Sequence, residues 1–339
     1  MWIIRLIIQK ALGISNWLII FASFVVVFGA TSAAYLLEPE TFKTPFDAFW
    51  WVMVTVTTVG YGDVYPHSIA GRIVGIFLFV FGIGFVGVLI GKIVDSFSAF
   101  NRRREEGKLA YKGRGHIVII GWSKKAEHAA EEILASNAKV DVVIIDTLER
   151  APIAKERIHF VSGEASEDNT LEQANLKKAK SVLVFADDNI SEPQICDGKS
   201  LIIVTTVEQF APGVHTVVEI MDERHIKNFH FVHVNEFILM NQTISRLAVR
   251  SAFMAGVSEV YQQLISRKKG ENLYRIPKHP HWNTYGEAFH ALLEQGATLV
   301  ADGNELDINR RLQEEIPDNA ELYMICDPKT YHKLLEQAK

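Results

Sequence analysis

Two long apolar runs near the N-terminus constrain this chain more than any other feature. The first covers residues 17–37 without a charged side chain, and the second covers 73–91 between two basic residues. A helix of about 20 apolar residues is long enough to cross the hydrocarbon core of a bilayer. The first run is too long for the core of a signal peptide, and no small-residue cleavage site accompanies it. We therefore predict two transmembrane helices, over about 14–37 and 70–97.

The charge distribution orients these spans and divides the chain. Residues 1–114 carry a net charge of +4 and residues 115–339 one of −9, which together give −5. Basic side chains precede the first run and, at Arg102–Arg104, follow the second. Because basic flanks mark the cytoplasmic side, we predict a multi-pass protein of the cell membrane with both termini in the cytoplasm. Arg102–Arg104 are expected to touch anionic lipid headgroups, and the acidic second part argues against a nucleic-acid partner.

A third apolar segment, residues 46–59, is too short to cross a bilayer and leads into a glycine-containing motif. Such a segment is typical of a re-entrant helix buried in protein, and we predict a pore helix over about 45–57. The motif that follows suits the binding of dehydrated K⁺, because rings of backbone carbonyls can replace the hydration shell. Glycines permit the backbone angles that aim successive carbonyls at one axis. The predicted filter residues are Thr58, Val59, Gly60, Tyr61 and Gly62.

Aromatic and acidic neighbours fit the same interpretation. Tyr61 can form an aromatic cuff with Trp50 and Trp51, and Asp63 would concentrate cations at the outer mouth. A chance Gly-Tyr-Gly turn is the alternative, but it leaves unexplained why the motif lies between two spans and after a short helix. Residues 14–100 resemble the two-transmembrane family of prokaryotic potassium channels. That resemblance implies a homotetramer and a preference for potassium over sodium.

The second apolar run is rich in glycine, and two of its glycines are candidates for a gating hinge. Glycines let transmembrane helices approach closely, and they also lower the cost of bending. The segment 81–85 resembles the hinge of ligand-gated relatives, so we expect the hinge at Gly82 or Gly84. Close helix packing remains the alternative explanation. Residues 98–114 are charged and contain two glycines, which predicts a linker that transmits force to the pore.

From His116 onward, short β-branched runs alternate with helical stretches, which predicts βαβ units and a parallel sheet. The predicted strands are 116–120, 140–146, 158–163, 181–187, 215–221 and 231–234. The fold class is therefore an all-α membrane pore followed by a cytoplasmic α/β Rossmann-like domain at 115–240. A small α+β lobe is expected at 269–339.

Ligands of such sheets bind beyond the carboxyl ends of the strands. Asp146 lies 25 residues after Gly121, close to the usual position of an acidic residue that binds a ribose. Trp122 and Ser123 replace small residues of the dinucleotide fingerprint, which disfavours a dinucleotide in its usual pose. The candidates for nucleotide binding are Gly121, Ser123, Asp146, Gly163, Glu164 and Asp187.

The second part of the chain resembles the regulator of potassium conductance (RCK) family across 115–339. The residues that carry this resemblance lie at 117–123, 161–184 and 241–266. It implies dimerisation through a crossover helix at 241–268, an octameric gating ring, and calcium or an adenine nucleotide (ADP, ATP or NAD) as the regulatory ligand. The calcium candidates are Asp187, Asp188, Glu219 and Asp222. The first three fit the positions of the family's carboxylates, whereas Met221 stands where a further carboxylate would help and Asp222 follows it. Calcium takes six or more oxygen ligands, so this set is incomplete, and ordinary acids at strand ends are the alternative.

Three functions from different classes are compatible with these features. They are a ligand-gated potassium channel, a membrane-anchored NAD-dependent oxidoreductase, and an accessory subunit of a potassium transporter. The glycine fingerprint is broken, and no base, nucleophile or metal constellation follows the sheet, so we do not expect an enzyme. An accessory role would leave the intact filter motif unexplained. We therefore predict a potassium channel gated by a ligand.

Overall fold

A computed structural model of the chain describes residues 16–266 and 270–337. The chain divides between Arg103 and Arg104 into two compact units. The first is all-α, with a core in which small side chains of the first helix face Trp51 and Val52 of the second. Within the described residues, none of the helices combines the length and apolar character needed to cross a bilayer. The elements of the first unit are α1 (Asn16–Leu37), α2 (Pro45–Val56), α3 (Ile69–Phe77), a π-helical turn (Leu78–Gly82) and α4 (Ile83–Glu105).

The second apolar run is not one regular helix. The π-helical turn separates α3 from α4, and both hinge candidates lie near it, with Gly82 as its last residue and Gly84 in the first turn of α4. Gly82 is buried, and a Cβ at this position would lie 3.1 Å from Cγ2 of Val56. Close packing and a local irregularity of the helix therefore coincide at Gly82. A π-helical turn is a recognised site of bending in helices.

The helix also continues farther than its sequence suggested. α4 ends at Glu105, beyond the predicted end of the second transmembrane span at 97 and inside the predicted linker at 98–114. The segment that follows belongs to the second unit and is held against the rest of that unit by backbone hydrogen bonds. Ser162 N donates to Gly107 O (3.1 Å), Tyr111 N to Gln173 O (2.8 Å) and Gly115 N to Lys178 O (2.8 Å). The predicted linker is therefore helical in its first part and docked in its second.

The second unit is built on a parallel sheet with the strand order β3-β2-β1-β4-β5-β6, the order of doubly wound dinucleotide-binding folds. Helices cover both faces, which is why the strands read as almost continuous apolar runs. In the first strand, Val118 and Ile120 belong to the core beneath the helix Pro193–Phe210, whereas Ile119 packs on the opposite face with the helix Lys124–Ser136. The elements are β1 (Ile117–Ile120), α5 (Lys124–Ser136), β2 (Val142–Asp146), β3 (Ile158–Ser162), α6 (Asp168–Gln173), β4 (Ser181–Val184), α7 (Pro193–Phe210), β5 (His215–Glu219) and β6 (Glu236–Ile238).

The sixth strand lies later in the chain than predicted. Residues 231–234 do not form a strand, because a 3₁₀ segment ends at Phe229 and Val232 N donates to Phe229 O (3.1 Å). Asn235 then sets the register of β6, since its N donates to Thr216 O (2.9 Å) and its Oδ1 accepts from Thr216 N (2.8 Å). The turn therefore delays the strand until Glu236.

The remaining elements form two helices and a small lobe. The predicted long helix at 241–266 is broken, because Gly256 has φ +87° between α8 and α9. The lobe contains an antiparallel sheet with the order β7-β9-β8 around buried Tyr285, Leu292 and Met324. The elements are α8 (Met240–Phe253), α9 (Val257–Ile265), β7 (Asn272–Ile276), α10 (Tyr285–Leu293), β8 (Thr298–Asp302), β9 (Leu322–Cys326) and α11 (Pro328–Gln337).

Two histidines contact the docked segment at Tyr111. The His116 ring is fully buried and lies 4.5 Å from the Tyr111 ring, and the His159 ring lies 5.4 Å from it. Nε2 of His159 is 2.7 Å from Leu109 O, and the Tyr111 hydroxyl donates to Asp141 at 2.7 Å. Burial lowers the pKa of both imidazoles, because desolvation penalises the charged form.

We expect acid to weaken this docking. Both histidines have folded-state pKa values below the unfolded value of about 6.5. Their contribution to stability is therefore complete above that pH and is lost as the pH falls from it through the lower folded-state values. The thermal midpoint of the full chain should fall between about pH 7.5 and about pH 5.5, and His159→Gln should reduce the fall. Thermal unfolding monitored at several pH values measures it, with the exposed His290 as the matched control position (His290→Gln). An unchanged pH dependence in His159→Gln would contradict this interpretation.

Candidate functional site

The loop at 58–62 is positioned by the helix that precedes it. α2 begins with a capping box, in which Thr44 Oγ1 accepts from Asp47 N (3.2 Å) and Asp47 Oδ2 accepts from Thr44 N (2.9 Å). At its other end, Val54 O accepts from Val59 N (3.0 Å) and Gly60 N (3.2 Å). The carboxyl end of a helix carries partial negative charge. α2 therefore presents a favourable electrostatic environment for a cation next to the loop.

The backbone of the loop alternates between two conformations. Thr58, Gly60 and Gly62 have φ values of +61°, +61° and +72°, whereas Val59 and Tyr61 between them do not have positive φ. This alternation is the geometry expected for carbonyls that point repeatedly towards one axis. A β-branched residue rarely adopts positive φ, and such backbone strain is concentrated at functional sites. The conformation of Thr58 thus distinguishes this loop from an ordinary glycine turn.

One half of the predicted aromatic cuff is present within a single chain. The Trp50 and Tyr61 rings are stacked, with centroids 6.0 Å apart and an interplanar angle of 2°. Trp50 Nε1 donates to Asp63 Oδ2 at 2.9 Å, and this hydrogen bond lowers the pKa of Asp63. Trp51 is instead buried against Phe42, with ring centroids 5.4 Å apart. Trp50 connects the loop to its outer edge, while Trp51 belongs to the core.

Glu38, which the sequence did not single out, stabilises the segment after the loop. It is buried and accepts hydrogen bonds from His67 N (2.9 Å), Ser68 N (2.7 Å) and Thr41 Oγ1 (2.9 Å). Burial alone would raise the pKa of Glu38, but these bonds and that of the Ser68 hydroxyl lower it to about 2. Gly71 is required nearby, because a Cβ there would overlap Glu38 Oε1. A single acidic residue in a loop does not indicate such a role, so the sequence did not predict the contacts of Glu38.

A cavity of about 220 Å³ lies at the carboxyl ends of β1, β2 and β4. Its lining mixes apolar and polar groups and includes four charged side chains, and it brings together five of the six predicted nucleotide residues. These are Gly121, Asp146, Gly163, Glu164 and Asp187. Ser123 has a different role, since its Oγ caps α5 by accepting from Ala126 N at 3.3 Å.

Asp146 shapes the entrance of this cavity. Its carboxylate accepts from Trp122 N (2.7 Å) and Leu148 N (3.1 Å), which fixes the turns after β1 and β2. Gly121 has φ +86°, and a Cβ would lie 3.4 Å from Phe185 O. Trp122 also lines the cavity. A turn that holds a tryptophan at this point leaves less room for the close approach of a pyrophosphate than a glycine would.

The four predicted calcium ligands are not assembled in this chain. Among the described residues, no group of three or more His, Cys, Asp or Glu side chains is close enough to hold a metal ion. Each carboxylate has a basic partner instead. Asp187 binds Lys199 (2.7 Å), Asp188 and Glu219 bind Lys125 (2.7 and 2.8 Å), and Asp222 binds Arg224 (2.5 Å). Lysine and arginine side chains therefore neutralise all four carboxylates in this structure, and a calcium site at these residues stays a prediction.

The two units together define a class of protein. An all-α unit with an alternating carbonyl loop, joined to a doubly wound sheet with a cavity at its strand ends, is an ion channel with a regulatory domain. Residues 18–99 match the family described as "Ion channel", and residues 117–240 match the TrkA-N domain. The human SLO3 gating ring has a TM-score of 0.51 at 12% identity, over 65% of this chain and 46% of that chain. At that identity the similarity shows the fold alone.

Two relatives extend across both units. A Bacillus subtilis protein named "Putative potassium channel protein YugO" is 37% identical over 231 residues, which is 67% of this chain and 69% of the relative. The "Calcium-gated potassium channel TvoK" of Thermoplasma volcanium is 28% identical over 236 residues, which is 69% of this chain and 67% of the relative. The chain belongs to the family of potassium channels that carry a TrkA-N regulatory domain.

This family confirms the predicted fold class, in which an ion-channel domain precedes a Rossmann-like parallel sheet. It also confirms the predicted function of a potassium channel with a regulatory domain. The relatives are membrane proteins and channels, and nothing about them indicates an enzymatic activity.

Proposed function

We propose that this protein is a potassium-selective channel whose opening is controlled by an adenine nucleotide bound in the cavity at the strand ends. Four copies of residues 58–62 would form the filter around dehydrated potassium ions. The observation that carries the ligand proposal is the convergence of Gly121, Asp146, Gly163 and Glu164 on one cavity. The geometry favours a nucleotide over calcium, because the carboxylates predicted for calcium are occupied by basic side chains.

The charge of the cavity indicates which part of the nucleotide enters. Asp146, Glu164 and Asp187 contribute three carboxylates, against the single ammonium of Lys199. Carboxylates accept hydrogen bonds from ribose hydroxyls but repel phosphates, so the nucleoside lies inside and the phosphates lie outside. The volume of about 220 Å³ is below the roughly 300–1,000 Å³ of typical ligand pockets. A mononucleotide therefore fits the site better than a dinucleotide.

The same proposal includes the assembly. None of the residues of α8 and α9 is buried, although their surfaces include large apolar side chains. We assign this surface to a second copy of the regulatory domain, in a dimer that forms part of an octameric ring beneath a tetrameric pore. Both termini then lie in the cytoplasm, and Arg102–Arg104 lie near anionic lipid. The exposed apolar side chains are Ile244, Val249, Phe253, Met254, Val260 and Ile265.

The docked segment gives the ligand a route to the pore. A ligand shifts a conformational equilibrium only by its difference in affinity between the two states. A nucleotide that stabilises one arrangement of the strand ends would act on the segment bonded to β3 at Ser162. That segment continues directly from α4. The nucleotide would therefore change the free energy of bending near Gly82.

Nucleotide binding is tested by titrating the purified full chain with ADP, ATP and NAD in a calorimeter. We expect ADP or ATP to bind more tightly than NAD. Asp146→Asn should raise the Kd at least about tenfold, since losing a hydrogen bond to a charged group costs about 1.5–3 kcal/mol. Glu294→Gln, on the C-terminal lobe, removes a comparable charge outside the cavity and should leave the Kd unchanged.

Two results would contradict the nucleotide proposal. One is the absence of binding for all three nucleotides at millimolar concentration. The other is an Asp146→Asn variant that binds ADP and ATP as the wild type does. In either case the potassium channel function would stand, because it rests on the filter and on the relatives.

A further inference from the structure

A buried ionic contact joins three elements at the carboxyl edge of the sheet, next to the cavity but separate from it. Glu219 is the last residue of β5, and only 4% of its side chain is exposed. Its two carboxylate oxygens accept from Lys125 Nζ at 2.9 and 2.8 Å. Asp188, after β4, contributes a third oxygen at 2.7 Å from the same nitrogen. Lys125 itself belongs to the first turn of α5.

The contact satisfies the requirements of a bound cation. An ammonium has three donors, and three carboxylate oxygens from two residues converge on it. A carboxylate as deeply buried as that of Glu219 needs a paired charge, because desolvating a lone charge is costly. Glu219 also accepts from Ala186 N at 2.9 Å, which ties it to the end of β4. Burial alone would lower the pKa of Lys125, but the hydrogen bonds to Asp188 and Glu219 raise it.

The surrounding carboxylates do not complete a metal site. Asp187 forms an ion pair with Lys199. Asp222 forms an ion pair with Arg224 and caps the following 3₁₀ segment. Calcium needs six or more oxygens at 2.3–2.6 Å, whereas two residues supply three oxygens here at ammonium distances. We propose that Lys125 is a tethered cation that takes the place of a divalent ion between β4 and β5. This edge of the regulatory domain is thereby held together without calcium.

The consequence is that Lys125 sets the ion specificity of the edge. In the wild-type protein, calcium has no position between Asp188 and Glu219, because the ammonium occupies it. Removing the ammonium while keeping the apolar stem leaves the buried carboxylate of Glu219 beside the half-exposed carboxylate of Asp188, and a divalent ion can neutralise both. This inference concerns a contact outside the nucleotide cavity, so it does not depend on nucleotide binding.

The test compares the thermal midpoint of the full-length channel with and without millimolar calcium chloride. Lys125→Met should lower the midpoint by roughly 5–15 °C, as expected for breaking a buried ion pair. Calcium should raise the midpoint of this variant by several degrees, because a ligand that binds only the folded state stabilises it. Lys124→Met is the matched control, since the neighbouring Lys124 is 86% exposed and its ion pair with Glu127 lies at the surface. Wild type and Lys124→Met should show no calcium-dependent change.

Two outcomes would overturn the proposal. The first is a Lys125→Met variant that is as stable as the wild type and does not respond to calcium. The second comes from a separate experiment that does not use Lys125→Met. It measures the equilibrium binding of radioactive calcium to the wild type and to Glu219→Gln. We expect the same amount bound by both. A loss of bound calcium in Glu219→Gln would show that Glu219 already holds a metal ion and that Lys125 is not the resident cation.

Discussion

Gly60→Ala is expected to abolish potassium flux while leaving the protein folded. Gly60 has φ +61°, and no atom lies within 4 Å of the position that a Cβ would take. The expected loss therefore comes from the backbone conformation and not from a clash within the chain. A left-handed conformation costs an alanine about 1–2 kcal/mol. In the proposed tetramer the cost is repeated four times, which corresponds to at least about a thousandfold fewer conducting filters.

Flux of potassium into liposomes measures this effect, and a matched variant controls for the backbone penalty. Gly213 has φ +80° and open space where an alanine methyl group would lie, but it belongs to the loop before β5. Gly213→Ala should therefore retain the flux of the wild type. A Gly60→Ala channel that conducts as well as the wild type would remove the filter role from residue 60.

Gly107→Ala is expected to separate the regulatory domain from the pore. A Cβ on Gly107 would overlap Ser162 N and lie 2.8 Å from Cδ1 of Phe160, and φ is +65°. The alanine cannot be accommodated while Ser162 N donates to Gly107 O (3.1 Å). We expect flux to persist and its response to ADP or ATP to fall at least about tenfold, since overpacking and the backbone penalty each cost about 1–3 kcal/mol.

A second glycine of the same segment supplies the control. Gly115 has φ +69° but nothing within 4 Å of a Cβ, so Gly115→Ala carries the backbone penalty without the overlap. Trypsin provides a readout that needs no ligand. The side chains of Lys108 and Lys112 are already exposed, and undocking would release the backbone around them for cleavage. Gly107→Ala should be cleaved faster than Gly115→Ala. Equal cleavage and an intact nucleotide response in Gly107→Ala would mean that the docked segment does not couple the two units.

Local patterns in the sequence predicted those elements whose structure is determined by residues close together in the chain. The apolar runs of β1 and β2, the proline and capping residues of α2, and the glycines of the filter each act within a few residues. For this reason the parallel sheet, the pore helix and the positive φ of Gly60 and Gly62 follow from the sequence. The positive φ of Thr58 does not, because threonine is disfavoured there and only the surrounding hydrogen bonds impose it.

The features that the sequence did not predict depend on contacts between distant residues. Lys125 and Glu219 are 94 residues apart, and nothing near Glu219 indicates that a lysine neutralises it. The docking of Gly107 on β3 and the bonds of Glu38 to His67 and Ser68 are similarly non-local. Composition alone indicates a linker in the charged segment after the second apolar run. Composition does not show which backbone groups the folded domain offers as partners.

The central claim is that backbone oxygens of residues 58–62 bind dehydrated potassium, and ion flux in liposomes tests it most directly. The purified protein is reconstituted, and the flux driven by a potassium gradient is compared with the flux driven by an equal sodium gradient. We predict a large potassium flux and almost no sodium flux, with Gly60→Ala giving neither. Sodium flux as large as potassium flux, or an assembly of three or five chains, would contradict this account of the filter.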